Sequence, residues 1–209
     1  NCSRERTDMS YEIIRRKLAA GLNIILDGGT GTDIQKRGAP MSGDTWCADV
    51  NGTHLSIVQS VHDDYISAGA DIITANTFAT SALSFNAYGR DDDVVLLDTL
   101  AISAAKKAAE GKEVAVAGSM STMRPVYAGT DRTNLDINWS EGDAKKLFHR
   151  KAQNLKAQGV DLIMMEMMRD SDLSQWACEA ALETGLPTWI GVSVEKRADG
   201  KLVGFGRQD

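Results

Sequence analysis

The stretch IILDGGTGT at residues 24–32 is the first of five segments built alike. In each of them a glycine precedes a short apolar run that ends in polar residues. The other four are ADIITANTF at 70–78, EVAVAGSMS at 113–121, VDLIMMEMM at 160–168 and PTWIGVSV at 187–194. A glycine just past a helix adopts the left-handed conformation without a Cβ penalty, and an apolar run buried on both faces is typical of a parallel strand. The repetition therefore predicts successive parallel βα units.

Each predicted strand stops being apolar at a polar residue. These residues are Asp27, Asn76, Ser119, Glu166 and Ser193. The carboxyl ends of parallel strands meet at one edge of a sheet, where α/β proteins place their chemistry. We therefore expect the functional site among these five positions.

Helical periodicity and capping residues predict a helix before the first strand and one after each of the first four strands. We expect these helices at residues 10–20, 53–67, 92–110, 141–157 and 172–183, with the first of them covering the sheet. Thr53 is a predicted N-cap, and Ser140 with Asp143 resembles a capping box. The two longest βα loops, 32–52 and 120–140, are candidate substrate covers.

Length and composition point to one globular domain. The chain has 209 residues, 43% of them hydrophobic and 25% charged, and a formal net charge of -6. Net negative charge with scattered basic residues argues against a nucleic-acid partner. No apolar run is long enough for a membrane helix, and the first residues lack the apolar core of a secretion signal, so we predict no membrane partner and a cytoplasmic location.

Cysteine and histidine give no sign of a metal site or a disulfide framework. Cys2, Cys47 and Cys178 are odd in number and far apart, so we expect buried or idle thiols. The three histidines fall in predicted helices away from the strand ends and are expected on helix surfaces.

Alternating strands and helices form either a closed barrel or an open doubly wound sheet. GGTGT after the first strand is not the GxGxxG of a dinucleotide-binding sheet, and polar residues at the ends of consecutive strands favour a barrel. We therefore predict an α/β fold of the (β/α)8 TIM-barrel type. About five of eight units are present, so we expect a single domain over residues 1–209 whose carboxyl-terminal part is missing, with two apolar sheet edges.

Two carboxylates, Asp27 and Glu166, stand at strand ends roughly half a ring apart. Such a pair serves as acid and base in glycosidases or holds an ammonium group through charge-assisted hydrogen bonds. A structural role in capping loops is the third possibility. Their spacing leaves all three open.

Four motifs together resemble the homocysteine S-methyltransferase family. They are LDGGTGT at 26–32, ANTF at 75–78, AGSMS at 117–121 and DLIMMEMM at 161–168. The family includes betaine-homocysteine and S-methylmethionine-homocysteine methyltransferases and related domains of cobalamin-dependent methionine synthase. The resemblance implies a (β/α)8 barrel that acts in methionine biosynthesis. It implies methyl transfer from a sulfonium or ammonium donor to the zinc-bound thiolate of homocysteine.

The resemblance also implies roles for single residues. Asp27 and Glu166 would hold the homocysteine ammonium, and the backbone of two glycines would lie against the amino acid. Further strand-end residues would line the pocket near the sulfur. The predicted substrate-binding residues are Asp27, Gly28, Gly29, Asn76, Thr77, Phe78, Ser119 and Glu166.

This sequence departs from the family pattern in several places. The family's zinc cysteines would lie beyond Asp209, so no metal residue is assigned, no zinc is expected on this chain, and no turnover is expected from it alone. Ala79 stands where betaine-using members carry a tyrosine, which argues against betaine. Met167 and Met168 are expected to pack as apolar residues.

Two loop tryptophans could serve a donor cation or their own loops. Trp46 and Trp139 lie in the two long loops. We expect them to anchor those loops, with stacking on a methylated cation as the alternative.

Two other functional readings stay open. One is a non-catalytic or vestigial barrel fragment that binds an amino acid without methylating it. The other is a Mg²⁺-dependent barrel lyase that uses the two carboxylates as hard ligands. For the methyltransferase, the expected partners are homocysteine and a small methyl donor, and a homo-oligomer could form through the exposed sheet edges.

Overall fold

Four parallel strands form the main sheet of the computed structural model, which describes residues 2–127, 130 and 132–205 of the chain. The strands are β1 (Ile72–Ala75), β2 (Ala115–Ser121), β3 (Leu162–Met168) and β4 (Thr188–Val192). They lie in the order β1-β2-β3-β4, so each strand pairs with its successor along the chain. The fold is therefore mixed α/β with a parallel sheet, as the repeated segments predict.

The predicted first strand is only partly formed. Leu26 makes a single parallel bridge to Ile72, and the N–H of Asp27 donates to the carbonyl of Ile72 at 3.0 Å. The N–H of Ile25 donates instead to the carboxylate of Asp71 at 2.9 Å. Because a side chain takes this donor and two glycines follow at once, the segment lies beside β1 without becoming a regular strand.

Eight helices are present in the described part of the chain. They are α1 (Cys2–Ala19), α2 (Thr30–Lys36), α3 (Val50–Thr53), α4 (Leu55–Ser67), α5 (Ala82–Ala87), α6 (Asp91–Ala108), α7 (Glu141–Ala157) and α8 (Ser171–Leu182). All five predicted helices exist, and α7 has the predicted bounds. Helix α1 begins earlier than expected. Helices α2 and α3, which overlap the two ends of the loop at 32–52, and helix α5 were not predicted from the sequence.

The two predicted N-caps have different outcomes. The Ser140 hydroxyl accepts a hydrogen bond from the N–H of Asp143 at 3.1 Å and donates to its carboxylate at 2.7 Å, which confirms the cap of α7. The prediction for Thr53 is wrong, because its hydroxyl donates backwards to the carbonyl of Asp49 at 3.0 Å. Thr53 therefore ends α3, and His54 precedes α4.

All five glycines of the repeated pattern have positive φ. The angles are 70° at Gly21, 100° at Gly69, 72° at Gly111, 73° at Gly159 and 73° at Gly185. Each glycine follows a helix and precedes a sheet segment. The left-handed turn that ends each helix is thus set by the sequence.

The sheet is covered on both faces. On one face Phe148 and Leu155 of α7 pack with Ile73, Val116 and Ile163 of the strands, and all five side chains are buried. Burying a side chain such as Phe148 contributes about 2–3 kcal/mol. On the other face α1 places Ile14 in a second cluster with strand residues, which confirms that the opening helix covers the sheet.

One buried histidine contradicts the expectation of surface positions. His62 on α4 is fully buried, and neither ring nitrogen has a hydrogen-bond partner among the described residues. Burial lowers its pKa to about 4. The imidazole is therefore neutral at physiological pH and packs as an apolar ring.

A hairpin that the sequence did not predict follows the sheet. Strands β5 (Val194–Lys196) and β6 (Leu202–Gly204) pair antiparallel. Large apolar side chains on β4 and this hairpin are exposed, among them Ile190, Val192 and Leu202. Ile25 and Leu26 are exposed at the opposite edge, so both edges are apolar as expected, and pairing with a second copy stays a prediction.

Candidate functional site

A cleft of about 180 Å³ opens at the carboxyl ends of the strands. It lies where the segment after Leu26 meets the ends of β1 and β3. Its lining comprises Asp27, Gly28, Gly29, Thr30, Gly31, Trp46, Thr74, Ala75, Asn76, Phe78, Glu166 and Met167. The structure thus brings together six of the eight predicted substrate-binding residues, whose roles stay predictions.

Asp27 is held by β1. One carboxylate oxygen accepts the N–H of Thr74 at 2.6 Å, and the other accepts the Thr74 hydroxyl at 3.0 Å. Burial raises the pKa of Asp27 to about 6, partly offset by these two hydrogen bonds, with a smaller contribution from the charge of Glu166. The carboxylate is therefore fixed in place and mostly ionised near pH 7.

Glu166 is held from the neighbouring strand. Its carboxylate accepts a hydrogen bond from the hydroxyl of Ser119 on β2. Burial raises the pKa of Glu166, while the Ser119 hydrogen bond acts in the opposite direction. The next residue, Met167, has a φ of 55°, and the β3–β4 register shifts between Met165 and Met168. A β-bulge at the end of β3 thus redirects the chain beside the carboxylate.

Two carboxylates in one cleft create a site for a cation. No lysine or arginine is among the described residues that line it. The charge of Glu166 contributes to the raised pKa of Asp27, and a positive ligand between the two carboxylates would relieve this repulsion. Because hydrogen bonds to charged groups are strong, an ammonium group donating to both oxygen sets suits the arrangement.

Two glycines of the DGGTGT motif are required by close packing. A Cβ at Gly28 would lie 2.8 Å from the Tyr65 hydroxyl oxygen, and a Cβ at Gly31 would lie 2.6 Å from the Trp46 ring. At Gly29 a Cβ would meet Thr32 at an ordinary 3.7 Å. The motif therefore lets the chain pass close to Tyr65 and Trp46 on its way into α2.

The apolar side of the cleft contains two aromatic rings. Trp46 and Phe78 are arranged edge to face, with ring centroids 6.3 Å apart and planes at 89°. Trp46 is 37% exposed and has a φ of 48°, which is unusual for a residue other than glycine. The rings form a wall next to the carboxylates that could contact a methylated group.

Met167 and Met168 differ in their environment. Met168 is buried in the core, as expected. Met167 is 48% exposed and lines the cleft, so the prediction of apolar packing is wrong for it. The bulge and positive φ turn its side chain out of the alternation that its neighbours follow.

Thr77 and Ser119 are fully buried and lie behind the cleft lining. The Thr77 hydroxyl donates to the carbonyl of Ser119 at 2.9 Å and accepts from its N–H at 2.8 Å. This exchange joins the end of β1 to β2, and the Ser119 hydroxyl then reaches Glu166. Direct contact of either residue with substrate stays a prediction.

Ser193, the fifth strand-end residue, lies outside the cleft lining, and its N–H donates to the carbonyl of Met168 at 2.9 Å.

Six lining residues were not predicted as substrate-binding residues. They are Thr30, Gly31, Trp46, Thr74, Ala75 and Met167. Thr74 had a readable signal, because a threonine in the apolar run ADIITANTF, two residues before Asn76, shares its strand face. The positive φ of Trp46 and Met167 has no sequence signal of its own.

Trp139 anchors its own loop, as expected. Its indole N–H donates to the side-chain oxygen of Asn86 at 2.7 Å, and the Arg124 guanidinium lies 5.7 Å from its ring centroid. The ring also packs against the main core. Trp139 therefore belongs to the fold of the 120–140 loop.

The described part of the chain contains no group of three His, Cys, Asp or Glu side chains placed to hold a metal ion. Cys47 is buried, and burial raises the pKa of its thiol to about 12. Cys178 is half-buried on α8, and the side chain of Cys2 lies outside the described residues. None of the described helices is both long and apolar enough to cross a membrane.

A family comparison agrees with the cleft and the fold. A sequence model of the homocysteine S-methyltransferase family matches residues 24–205. This match covers most of the chain, including all five repeated segments and every residue that lines the cleft. The chain therefore belongs to the homocysteine S-methyltransferase family.

Curated relatives and a solved structure are consistent with this membership. Homocysteine S-methyltransferase 4 from Zea mays is 27% identical over 189 residues, which cover 82% of this chain and 55% of the relative. Betaine–homocysteine S-methyltransferase 1 from Rattus norvegicus is 26% identical over 178 residues, which cover 83% of this chain and 41% of the relative. The chain thus spans about half the length of these relatives.

The fold has a counterpart among solved structures. The metallated form of the homocysteine methyltransferase MmuM from Escherichia coli superposes with a TM-score of 0.70 at 22% identity, covering 87% of this chain and 67% of that one. The parallel α/β architecture is therefore shared with this solved structure.

Proposed function

We propose that this chain is the homocysteine-binding part of a homocysteine S-methyltransferase. The observation that carries the proposal is the pairing of Asp27 and Glu166 in one cleft without a lysine or arginine in its lining. The homocysteine ammonium would lie between the two carboxylates. The backbone at Gly28 and Gly29 would lie against the amino acid, with the sulfur toward Asn76 and Phe78.

In the reaction, the homocysteine sulfur would form a bond to a methyl carbon while the bond from that carbon to the donor's sulfonium or ammonium centre breaks. The thiol proton passes to solvent water, and methionine and the demethylated donor are released. The residues of this chain bind and orient homocysteine so that sulfur, methyl and leaving group lie in line. The wall of Trp46 and Phe78 suits a methylated onium group on the donor side.

The described residues do not fit the zinc site that the family implies. Cys47 is buried against Asn76, and Cys178 lies on α8 and is not among the residues that line the cleft. We therefore assign no residue of this chain to thiol activation. The proposal for the chain itself is binding of the amino acid, with methyl transfer belonging to the complete enzyme.

The same proposal extends to architecture and context. The segment at Leu26 and strands β1 to β4 would be about five units of a (β/α)8 barrel, and the next strand of such a barrel would pair with the open edge of β4. A cytoplasmic location and self-association through the sheet edges remain predictions.

The test is a calorimetric titration of the chain with homocysteine. We expect Asp27→Asn and Glu166→Gln each to weaken binding at least about tenfold, since each removes a charged partner of the ammonium. Asp161→Asn is the matched control, because burial raises the pKa of Asp161 to about 6 as well, yet this carboxylate accepts the N–H of Val116 at 2.7 Å away from the cleft.

A second ligand tests the role of the ammonium directly. 4-Mercaptobutanoate has the thiol and carboxylate of homocysteine but no ammonium group. It should bind weakly and be insensitive to Asp27→Asn. Equal loss of both ligands in that variant would contradict the ammonium site. Stabilisation by Mg²⁺ in the absence of any response to homocysteine would instead favour the lyase, and binding without turnover in the longest polypeptide of the gene would favour a non-catalytic role.

A further inference from the structure

A buried cluster of two amides and a thiol lies behind the cleft. The side-chain N–H groups of Asn76 donate to the carbonyl of Cys47 at 3.1 Å and to the side-chain oxygen of Asn51 at 2.8 Å. The Cys47 thiol donates to the side-chain oxygen of Asn76 at 3.2 Å. Asn51 also donates to the backbone carbonyl of Asn76 at 2.9 Å.

These contacts use both amide donors of Asn76 inside the protein. The Asn76 side-chain oxygen keeps one lone pair beyond its contact with the thiol. Cys47 and Asn51 are fully buried, and Asn76 is 4% exposed. In a buried network every lost partner leaves a polar group unsatisfied, so the arrangement is strongly specified.

The cluster holds the turn that carries Trp46. Cys47 directly follows Trp46, whose carbonyl accepts the N–H of Ser42 at 2.9 Å. Trp46 is in the left-handed region at a φ of 48°, which is unfavourable for a bulky residue and persists only where its surroundings enforce it. The hydrogen bonds at the Trp46 carbonyl and at Cys47 supply that enforcement.

We infer that Asn51 and Cys47 are positioning residues that act through Asn76 to hold the Trp46 indole as a fixed wall of the cleft. Asn76 joins the end of β1, which carries the cleft, to α3, which carries Asn51. The effect on Trp46 stands on these contacts alone, whereas the consequence for homocysteine rests on the proposed function.

The experiment compares two substitutions at one position. Cys47→Ala removes the donor to Asn76, while Cys47→Ser keeps a donor there. Each is made with and without Trp46→Phe, so that the difference in emission reports Trp46 alone. Acrylamide quenching of that emission and the homocysteine Kd are measured on folded protein.

We expect stronger quenching of Trp46 and an approximately tenfold higher Kd in Cys47→Ala, with both returning toward the wild-type values in Cys47→Ser. Asn51→Ala should have the larger effect because it removes two contacts. Ile102→Val, at a buried core position on α6, is the control for lost stability and should leave both readings unchanged.

Each outcome bears on a separate statement. Unchanged Trp46 quenching in a folded Cys47→Ala protein, or failure of Cys47→Ser to restore it, would overturn the positioning role. Absence of homocysteine binding by the wild-type chain would overturn the proposed function, while the quenching series would still decide the role of Cys47. The Cys47 pair decides the inference even if Asn51→Ala does not fold.

Discussion

Replacing Asp27 by asparagine should stabilise the unliganded protein while weakening its binding of homocysteine. Burial raises the pKa of Asp27 from 3.8 to about 6, so ionisation at pH 7.5 acts against folding. A shift of about two units corresponds to at most about 3 kcal/mol. Because the cleft is open to water, we expect Asp27→Asn to gain about 1–2 kcal/mol, or a Tm increase of roughly 2–8 °C.

The hydrogen bonds of Asp27 survive this substitution. The amide oxygen of asparagine accepts the N–H of Thr74 in place of the carboxylate, and its NH₂ group donates to the Thr74 hydroxyl, which reverses its role. The change is thus a removal of charge at nearly constant shape.

The sign of the effect depends on pH. The folded protein binds a proton at Asp27 more tightly than the unfolded chain does, so the stability of the wild type falls as pH rises from 3.8 through about 6. Asparagine has no such dependence. The gain in free energy of unfolding of Asp27→Asn over the wild type should therefore be complete above pH 6 and should vanish near pH 3.5.

Urea unfolding at several pH values, with and without homocysteine, measures both effects. At a ligand concentration of 100 Kd the wild type should gain about 2.7 kcal/mol, and the variant about 1.4 kcal/mol or less if its Kd rises tenfold. A variant that is less stable than the wild type at pH 7.5 would refute the burial argument. A variant that gains as much from homocysteine as the wild type would refute the ammonium site.

Three further substitutions test the surroundings of the cleft and the core. Gly31→Ala places a Cβ 2.6 Å from the Trp46 ring, so it should lower the free energy of unfolding by about 1–3 kcal/mol and expose Trp46. Gly29→Ala should leave both nearly unchanged. Urea unfolding and tryptophan emission measure the two effects. Lys151→Met leaves the buried Asp98 carboxylate without the ammonium that lies 2.6 Å away, and should lower the free energy of unfolding by about 3–5 kcal/mol. The double variant Lys151→Met with Asp98→Leu should recover most of this loss in the same assay. Burial lowers the pKa of His62 to about 4, so its contribution to stability is present above pH 6.5 and is lost as pH falls toward 4. In that range the free energy of unfolding should fall by about 1.4 kcal/mol per pH unit, and His62→Leu should remove this dependence on pH. An unchanged dependence would contradict the burial of a neutral imidazole.

Much of the fold could be predicted because its signals are local. Each of the five helices that precede a sheet segment is followed by a glycine with positive φ, and each apolar run that comes next forms or borders a strand. The first segment was predicted to be a full strand but is not one, because the Asp71 carboxylate accepts a hydrogen bond from the N–H of Ile25. That contact joins residues far apart in sequence, and no pattern within residues 23–27 contains it.

The sequence by itself determined where the cleft lies and which carboxylates enter it. Asp27 and Glu166 end apolar runs, and parallel strands bring such ends to one edge, so their meeting in the cleft follows from the order of the elements. The family motifs lie at the same strand ends, which is why they could be recognised without coordinates.

Only the tertiary structure decided what each of these residues is free to do. Asn76 has both amide donors engaged by Cys47 and Asn51, Ser119 holds Glu166 from behind, and Met167 turns into the cleft at a bulge. Hydrogen-bond partners, burial and backbone strain depend on which distant segments pack together. The same long-range packing sets the raised pKa of Asp27, because the water that it loses is displaced by residues remote in the chain.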